Sequence, residues 1–226
     1  MKNCTPRLTL AGSANILLDP LPETVRIDGA EVPVNWGYRA CILIEMVMFS
    51  GLPDEEKIRK ALDIFYCGQI PGNVETALGR MLWFYGCGRS GSGGREGSRR
   101  RQKRSYCFEQ DAQLIYAAFR TQYGINLNHT PSKQLHWWEF SAMFESLSDD
   151  LKICRVMYWR TTDTKGMSKK EAAFIRKMKK TYSLKEPESS VDSKVKLAKR
   201  NADMKAYVNR RFRECQVKGG EDHAKE

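Results

Sequence analysis

His136 and Glu139 stand three residues apart in LHWWEF, a spacing that places both on one side of a helix. An imidazole and a carboxylate so placed are the raw material of a metal site or a general base, with Asp111 as an acid elsewhere in the chain. A zinc site needs more ligands than this, and HxxE without a second histidine is a weak pattern. Beside Trp137 and Trp138, His136 is expected to hydrogen-bond within or at the rim of an aromatic cluster. His129 and His223 fall in an expected loop and tail.

The seven cysteines are odd in number, and no two form a CxxC pair. They read as reduced thiols of a cytosolic protein, several of them buried as small hydrophobes. No GxxxxGK[ST] phosphate loop and no GxSxG elbow is present. The expectation is therefore no enzyme, no metal and no cofactor.

A second chemistry is phosphate binding. The segment 89–105 carries seven arginines and lysines against one acid, a net +6 within a chain total of +11. Outside it the chain reads as only mildly basic. Arg99, Arg100, Arg101, Lys103 and Arg104 are the candidate phosphate contacts, giving salt-sensitive, sequence-blind affinity for nucleic acid. No zinc finger, basic-region heptad or RNP aromatic accompanies them, so nucleic acid is the alternative partner. The third chemistry is protein recognition through aromatic and amphipathic surfaces. Trp137 and Trp138 are adjacent, about 100° apart on a helix, so one of them is expected at the edge of a binding surface. His136 beside them, and Val208 and Phe212 near the C-terminus, complete the candidate partner-binding residues.

These residues need elements to position them. Val25 and Ile27, then Val32 and Val34, alternate with polar residues around Asp28-Gly29, the pattern of a small β-hairpin. Pro33 makes its second strand an edge. A helix apolar almost all round is expected over 36–50, a second from Pro53, and a third from Asn73 as N-cap to Gly86 or Gly88. The segment 89–104 lacks any large apolar residue and reads as a flexible linker. Beyond it, Phe108, Ala112, Ile115 and Phe119 share a helical face, and Gly124 supplies a left-handed C-cap. Another helix is expected over 135–147. Ser148 is expected to cap the next one, which carries Leu151, Cys154, Met157 and Tyr158. Ser168-x-x-Glu171 is a capping box opening a short basic helix to about Tyr182. In 186–226, Leu197, Met204, Val208 and Phe212 form the narrow stripe of an amphipathic helix. The expected architecture is mainly α. It comprises an N-terminal hairpin plus three helices (1–88), a basic linker (89–105), an aromatic-rich helical part (106–185) and an amphipathic helix with tail (186–226). No apolar run reaches the ~18 residues of a membrane span, and no signal peptide is apparent, so neither membrane insertion nor secretion is expected.

One resemblance sharpens this reading. FEQDAQLIYAAFRTQYGINL, then LHWWEF and the trailing Met157-Tyr158 and Arg160, resemble the gene-product-fifteen family of tailed phages and prophages of Gram-positive bacteria. LDPLPETVRIDGAEVPVNWGYRA, with Arg39 entering the first helix, is similar too, and the likeness covers roughly residues 15–185. The chain departs from the family's pattern in its longer, more basic linker and in Asn126, where an aspartate is usual. Membership implies no catalytic residue. It implies a tail assembly chaperone in the bacterial cytoplasm, binding the tape-measure protein and the major tail protein. A homo-oligomer is compatible with that role. A structural protein retained in the virion is the other alternative.

Overall fold

The computed structural model describes residues 15–89, 104–131, 134–185 and position 204. The basic residues Arg99, Arg100, Arg101 and Lys103, and Val208 and Phe212 of the expected C-terminal helix, lie outside the described residues. The chain divides into two units, one of Met1–Phe49 with Pro53–Lys185 and one of Ser50–Leu52 with Glu186–Glu226. The description below concerns the first.

The hairpin forms as its residues dictate. Strand β1 (Thr24–Ile27) pairs antiparallel with β2 (Ala30–Pro33), with Val25 opposite Val32. Asp28 and Gly29 both take positive φ, 47° and 84°, as the two-residue turn requires. Alternation then sends Val25 and Ile27 into the core.

Among the described residues of this unit seven helices follow: α1 (Tyr38–Met48), α2 (Asp54–Phe65), α3 (Val74–Tyr85), α4 (Ala112–Tyr123), α5 (Trp137–Glu145), α6 (Lys152–Thr161) and α7 (Lys169–Thr181). The mainly helical class with its small hairpin is as expected. The Asn73 side chain caps α3, accepting from the Thr76 N–H at 3.1 Å. Gly124 ends α4 at φ 68°, and Ser168 and Glu171 exchange both bonds of the capping box on α7. One hydrophobic core contains residues from both sides of the basic segment, from Val25 and Phe84 to Phe119 and Ile153.

Three local expectations need correction. First, α1 is not buried all round: Leu43 and Phe49 are about half exposed, while Glu45 is buried. The core touches one side of α1, and Glu45 turns into it because phenol hydroxyls wait there. Second, the inward face of α6 is Ile153, Val156 and Trp159, whereas Tyr158 is 55% exposed. Leu151, Cys154 and Met157, named with it, are partly buried and pack against the core beside that face. Third, Ser148 does not cap α6. Its hydroxyl donates to Asp150 and its N–H donates to Gln122 Oε1 (2.8 Å), so the helix begins only at Lys152.

The entry to α4 and the end of α6 are joined by a buried ion pair. Asp111 accepts two bonds from Arg160, Nη1 to Oδ2 at 2.6 Å and Nη2 to Oδ1 at 2.9 Å. Both side chains are under 10% exposed. The remaining guanidinium donors reach the Tyr182 carbonyl (2.6 Å) and the Ser105 carbonyl (2.9 Å), and Asp111 Oδ2 also accepts from the Cys107 N–H. Arginine's fixed fork thus ties α4, α6 and the end of α7 together. Removing one partner strands a buried charge. Arg160→Met is expected to lose about 3–5 kcal/mol in urea unfolding. Asp111→Leu combined with Arg160→Met should cost clearly less than the sum of the two single changes.

Candidate functional site

The HWW segment was the first place to look for chemistry, and the structure assigns each of its polar atoms. His136 is the N-cap of α5: its Nδ1 accepts from the Trp138 N–H at 3.0 Å, and Glu139 Oε2 accepts from the His136 N–H at 2.8 Å. HxxE is here a capping box, with imidazole in the place a serine or threonine usually takes. The opposite ring nitrogen, Nε2, lies 3.0 Å from the Pro22 carbonyl. That carbonyl can only accept, so Nε2 carries the proton and the ring is neutral. Burial lowers the His136 pKa below its ordinary value, against smaller raising effects of the Pro22 carbonyl, Glu139 and Glu23.

Trp137 and Trp138 are both buried, at 4% and 3% exposure. Neither ring stands on the exposed surface, and Trp137 lines the cleft described below. Their indoles diverge by the helical angle, and each finds its own acceptor at the end of α3. Trp137 Nε1 donates to the Tyr85 carbonyl and Trp138 Nε1 to the Phe84 carbonyl, each at 2.9 Å. The pair closes a helix C-terminus whose carbonyls have no partner within their own helix. Beside them, the segments leading into α1 and α5 meet as an isolated antiparallel bridge between Gly37 and His136. There Trp137 N–H donates to the Trp36 carbonyl, and the Trp36 ring stacks on His136 at 5.5 Å.

Other residues of the same motifs also prove to be internal fasteners. Arg39 Nη2 donates to the carbonyls of Leu127 (2.8 Å) and Asn128 (3.0 Å), holding the loop after α4. Asn126 Oδ1 accepts from the Asn128 N–H and the Tyr116 hydroxyl, bonds that need only an oxygen acceptor. Arg104, offered as a phosphate contact, lies 3.6 Å over the centre of the Phe49 ring and 3.5 Å from Glu45. It is tied to α1 rather than free for phosphate.

Glu45 is a residue the sequence did not single out for a polar role. Its carboxylate accepts from the Tyr85 hydroxyl and, at 3.4 Å, from the Tyr106 hydroxyl. Burial first, and then the neighbouring carboxylate, push both phenol pKa values well up, so both stay donors. Tyr85 and Tyr106 lead to a cleft of about 470 Å³, walled by Phe108, Phe140, Phe144 and Trp137. At its rim Arg89 and Glu145 form a two-bond ion pair, at 3.0 and 3.1 Å. Cys87 and Cys154 line it too, and burial raises both thiol pKa values, which makes them weak nucleophiles. Apolar walls with a charged rim can hold an apolar side chain and orient it. Among the described residues, no group of three or more His, Cys, Asp or Glu side chains could hold a metal ion. Nor, among them, is any helix long and apolar enough to cross a membrane.

A family model described as bacteriophage Gp15 protein matches residues 17–184. The chain belongs to the bacteriophage Gp15 protein family. No curated protein and no solved structure matches it. Family membership makes it a phage structural or assembly protein. The residues that carried the resemblance to the Gp15 family (Arg39, Asp111, the HWW run and Arg160) are those that fasten its helices.

In the unfolded chain His136 titrates near its ordinary value of about 6.5; folded, it titrates lower. Between those values the unfolded state holds more protons, so this residue's contribution is full above about pH 6.5 and declines as pH falls towards the folded value. Urea titrations at stepped pH should show that decline, and His136→Asn, which keeps a cap acceptor, should flatten it. At Gly88 (φ 69°) a Cβ would lie 2.7 Å from Trp138 Cη2. Gly88→Ala should therefore lower stability by about 1–3 kcal/mol, through strain in the left-handed region and displacement of the indole. A thermal melt followed by tryptophan fluorescence reads both effects.

Proposed function

We propose that this Gp15 family protein is a tail assembly chaperone, acting in the cytoplasm of the bacterial host without catalysing a reaction. Its partners in this reading are the tape-measure protein and the major tail protein. The observation that carries the proposal is the aromatic cleft between α3, α5 and α6, in a chain whose family places it among phage structural or assembly proteins. A tape-measure protein is a long helix, and a helix presenting apolar side chains one turn apart is recognised by inserting them into such a cleft. The Arg89–Glu145 pair at the rim supplies orientation, because rim charges steer a partner more than they bind it. Release is part of the role, and a cleft of this size suits a contact that forms and breaks. The reading that the protein stays in the virion is separated by mass spectrometry of purified particles, where a chaperone is absent.

The test is co-expression with the tape-measure protein encoded in the same phage genome, followed by co-purification. Ser141, half-buried, lines the cleft. Ser141→Trp should fill the cleft and weaken capture by about tenfold or more, ~1.4 kcal/mol, with the helical circular dichroism unchanged. Undiminished capture by that variant would remove the cleft from the proposal, and no capture by the unaltered protein would remove the partner.

A further inference from the structure

The charge of this chain is distributed differently from the first reading of it. Residues 151–185, which contain α6 and α7, hold eleven arginines and lysines against two acids, a net +9. That exceeds the +6 of the segment 89–105. Nine of the eleven cations are exposed, the exceptions being Arg160, whose side chain is buried in its ion pair, and the half-buried Lys179. On α7, Lys170 and Lys177 lie at i and i+7 with Phe174 between them, while Lys169, Arg176 and Lys180 occupy the adjoining row. The charge is therefore a face of the folded protein.

Solvation alone accounts for lysines, but not for the aromatic rings among them. Tyr158 of α6 is 55% exposed and Phe174 of α7 49% exposed. Both line an open hollow of about 420 Å³ floored by Met167 and Ile175 and edged by Lys170. The single acid at that hollow, Glu171, is occupied by the α7 cap, accepting from the Ser168 N–H at 3.1 Å. Beneath, Trp159 is fixed between the Phe174 edge and the Tyr182 face, with Lys152 and Arg155 held over its ring at 5.2 and 5.4 Å. The result is a firm platform that presents cations and two ring faces together.

We propose that the α6–α7 face is a binding surface for single-stranded nucleic acid. Its lysines and arginines take successive phosphates, and Tyr158 and Phe174 stack bases in the hollow between the two helices. Aromatic faces interleaved with cations are the arrangement by which single strands are bound without sequence preference, because every base has a π-face. A duplex keeps its bases paired and would use only the charge. The inference goes beyond tail assembly and does not rest on it.

The experiment is fluorescence anisotropy of the full chain with fluorescein-labelled oligo(dT) of about 20 nucleotides, across a sodium chloride series. The variants are Lys170→Glu/Lys177→Glu/Lys180→Glu, Tyr158→Ala, and a linker variant with Arg99, Arg100, Arg101 and Lys103 changed to Gln. The charge-reversed face should lose about tenfold or more in affinity and show a shallower salt slope. Tyr158→Ala should weaken oligo(dT) by several-fold while leaving duplex binding unchanged. All three lysines are exposed, and the corresponding Lys→Gln set replaces the reversal if the latter fails to fold. The proposal is overturned by an unaltered protein that does not bind. It is equally overturned by binding that survives the face variant but vanishes with the linker variant. Polyglutamate displacing oligo(dT) as well as unlabelled oligo(dT) does would mark the face as a site for acidic polypeptide, and would also overturn it.

Discussion

The end of α3 sets the terms for the rest of this structure. A helix leaves its last carbonyls without partners in its own turns; at the end of α3 the Phe84 carbonyl accepts from the Cys87 N–H at 3.0 Å, and both it and the Tyr85 carbonyl still present a lone pair towards α5. The indole N–H groups of Trp137 and Trp138 meet that need, one carbonyl each. This single requirement fixes the first turn of α5 against the last turn of α3. It calls for a residue without a side chain at Gly88, where the chain leaves α3 across the Trp138 ring. It also calls for a cap that starts α5 in register with the acceptors, and His136 supplies it from a position tied to Pro22.

From there the packing spreads outwards through Phe140, one turn along α5 and fully buried. Its ring stacks on Trp137, Tyr38 and Phe119, which belong to three different helices. Phe119 leads to α4, and α4 begins at the Asp111–Arg160 pair. The two buried polar nodes, the HWW cap and the Asp111 ion pair, are thus bridged by one aromatic column. Buried polar groups so fully bonded add little net energy, yet leaving any one of them unpaired is costly. Their effect is to admit one arrangement of the helices.

Much of the fold was legible in the sequence because its signals are local. The Asp28-Gly29 turn, the Asn73 cap, the Ser168–Glu171 box and Gly124 each depend on a few neighbouring residues, and each formed as read. What escaped reading depends on partners distant in the chain. The Trp137–Trp138 argument assumed that a helix buries one face. But α5 has neighbours on more than one side, so two residues about 100° apart are both inside. His136 was weighed as a ligand or a rim residue, and its true role needed the Pro22 carbonyl, 114 positions away. On α6, spacing alone does not separate the exposed Tyr158 from the buried Trp159 beside it. The cleft, built from three helices and a rim pair of sequence separation 56, left no local signature at all.

The same accounting bears on function. Among the described residues, the one buried side-chain polar atom without a hydrogen-bond partner is Arg104 Nε, at the Phe49 ring. The histidine, the acids and the tryptophans that first suggested reactive chemistry are all engaged in bonds within the fold. A chain that spends its polar side chains on its own helix ends has its surfaces left for recognition. Two such surfaces differ in kind: an apolar cleft with a paired rim, suited to an inserted side chain, and a cationic face with exposed rings. The first discriminates by shape and the second by charge and stacking, so the two can be occupied at once. On the two proposals above, polypeptide and nucleic acid would each meet a chemically distinct surface of this chain.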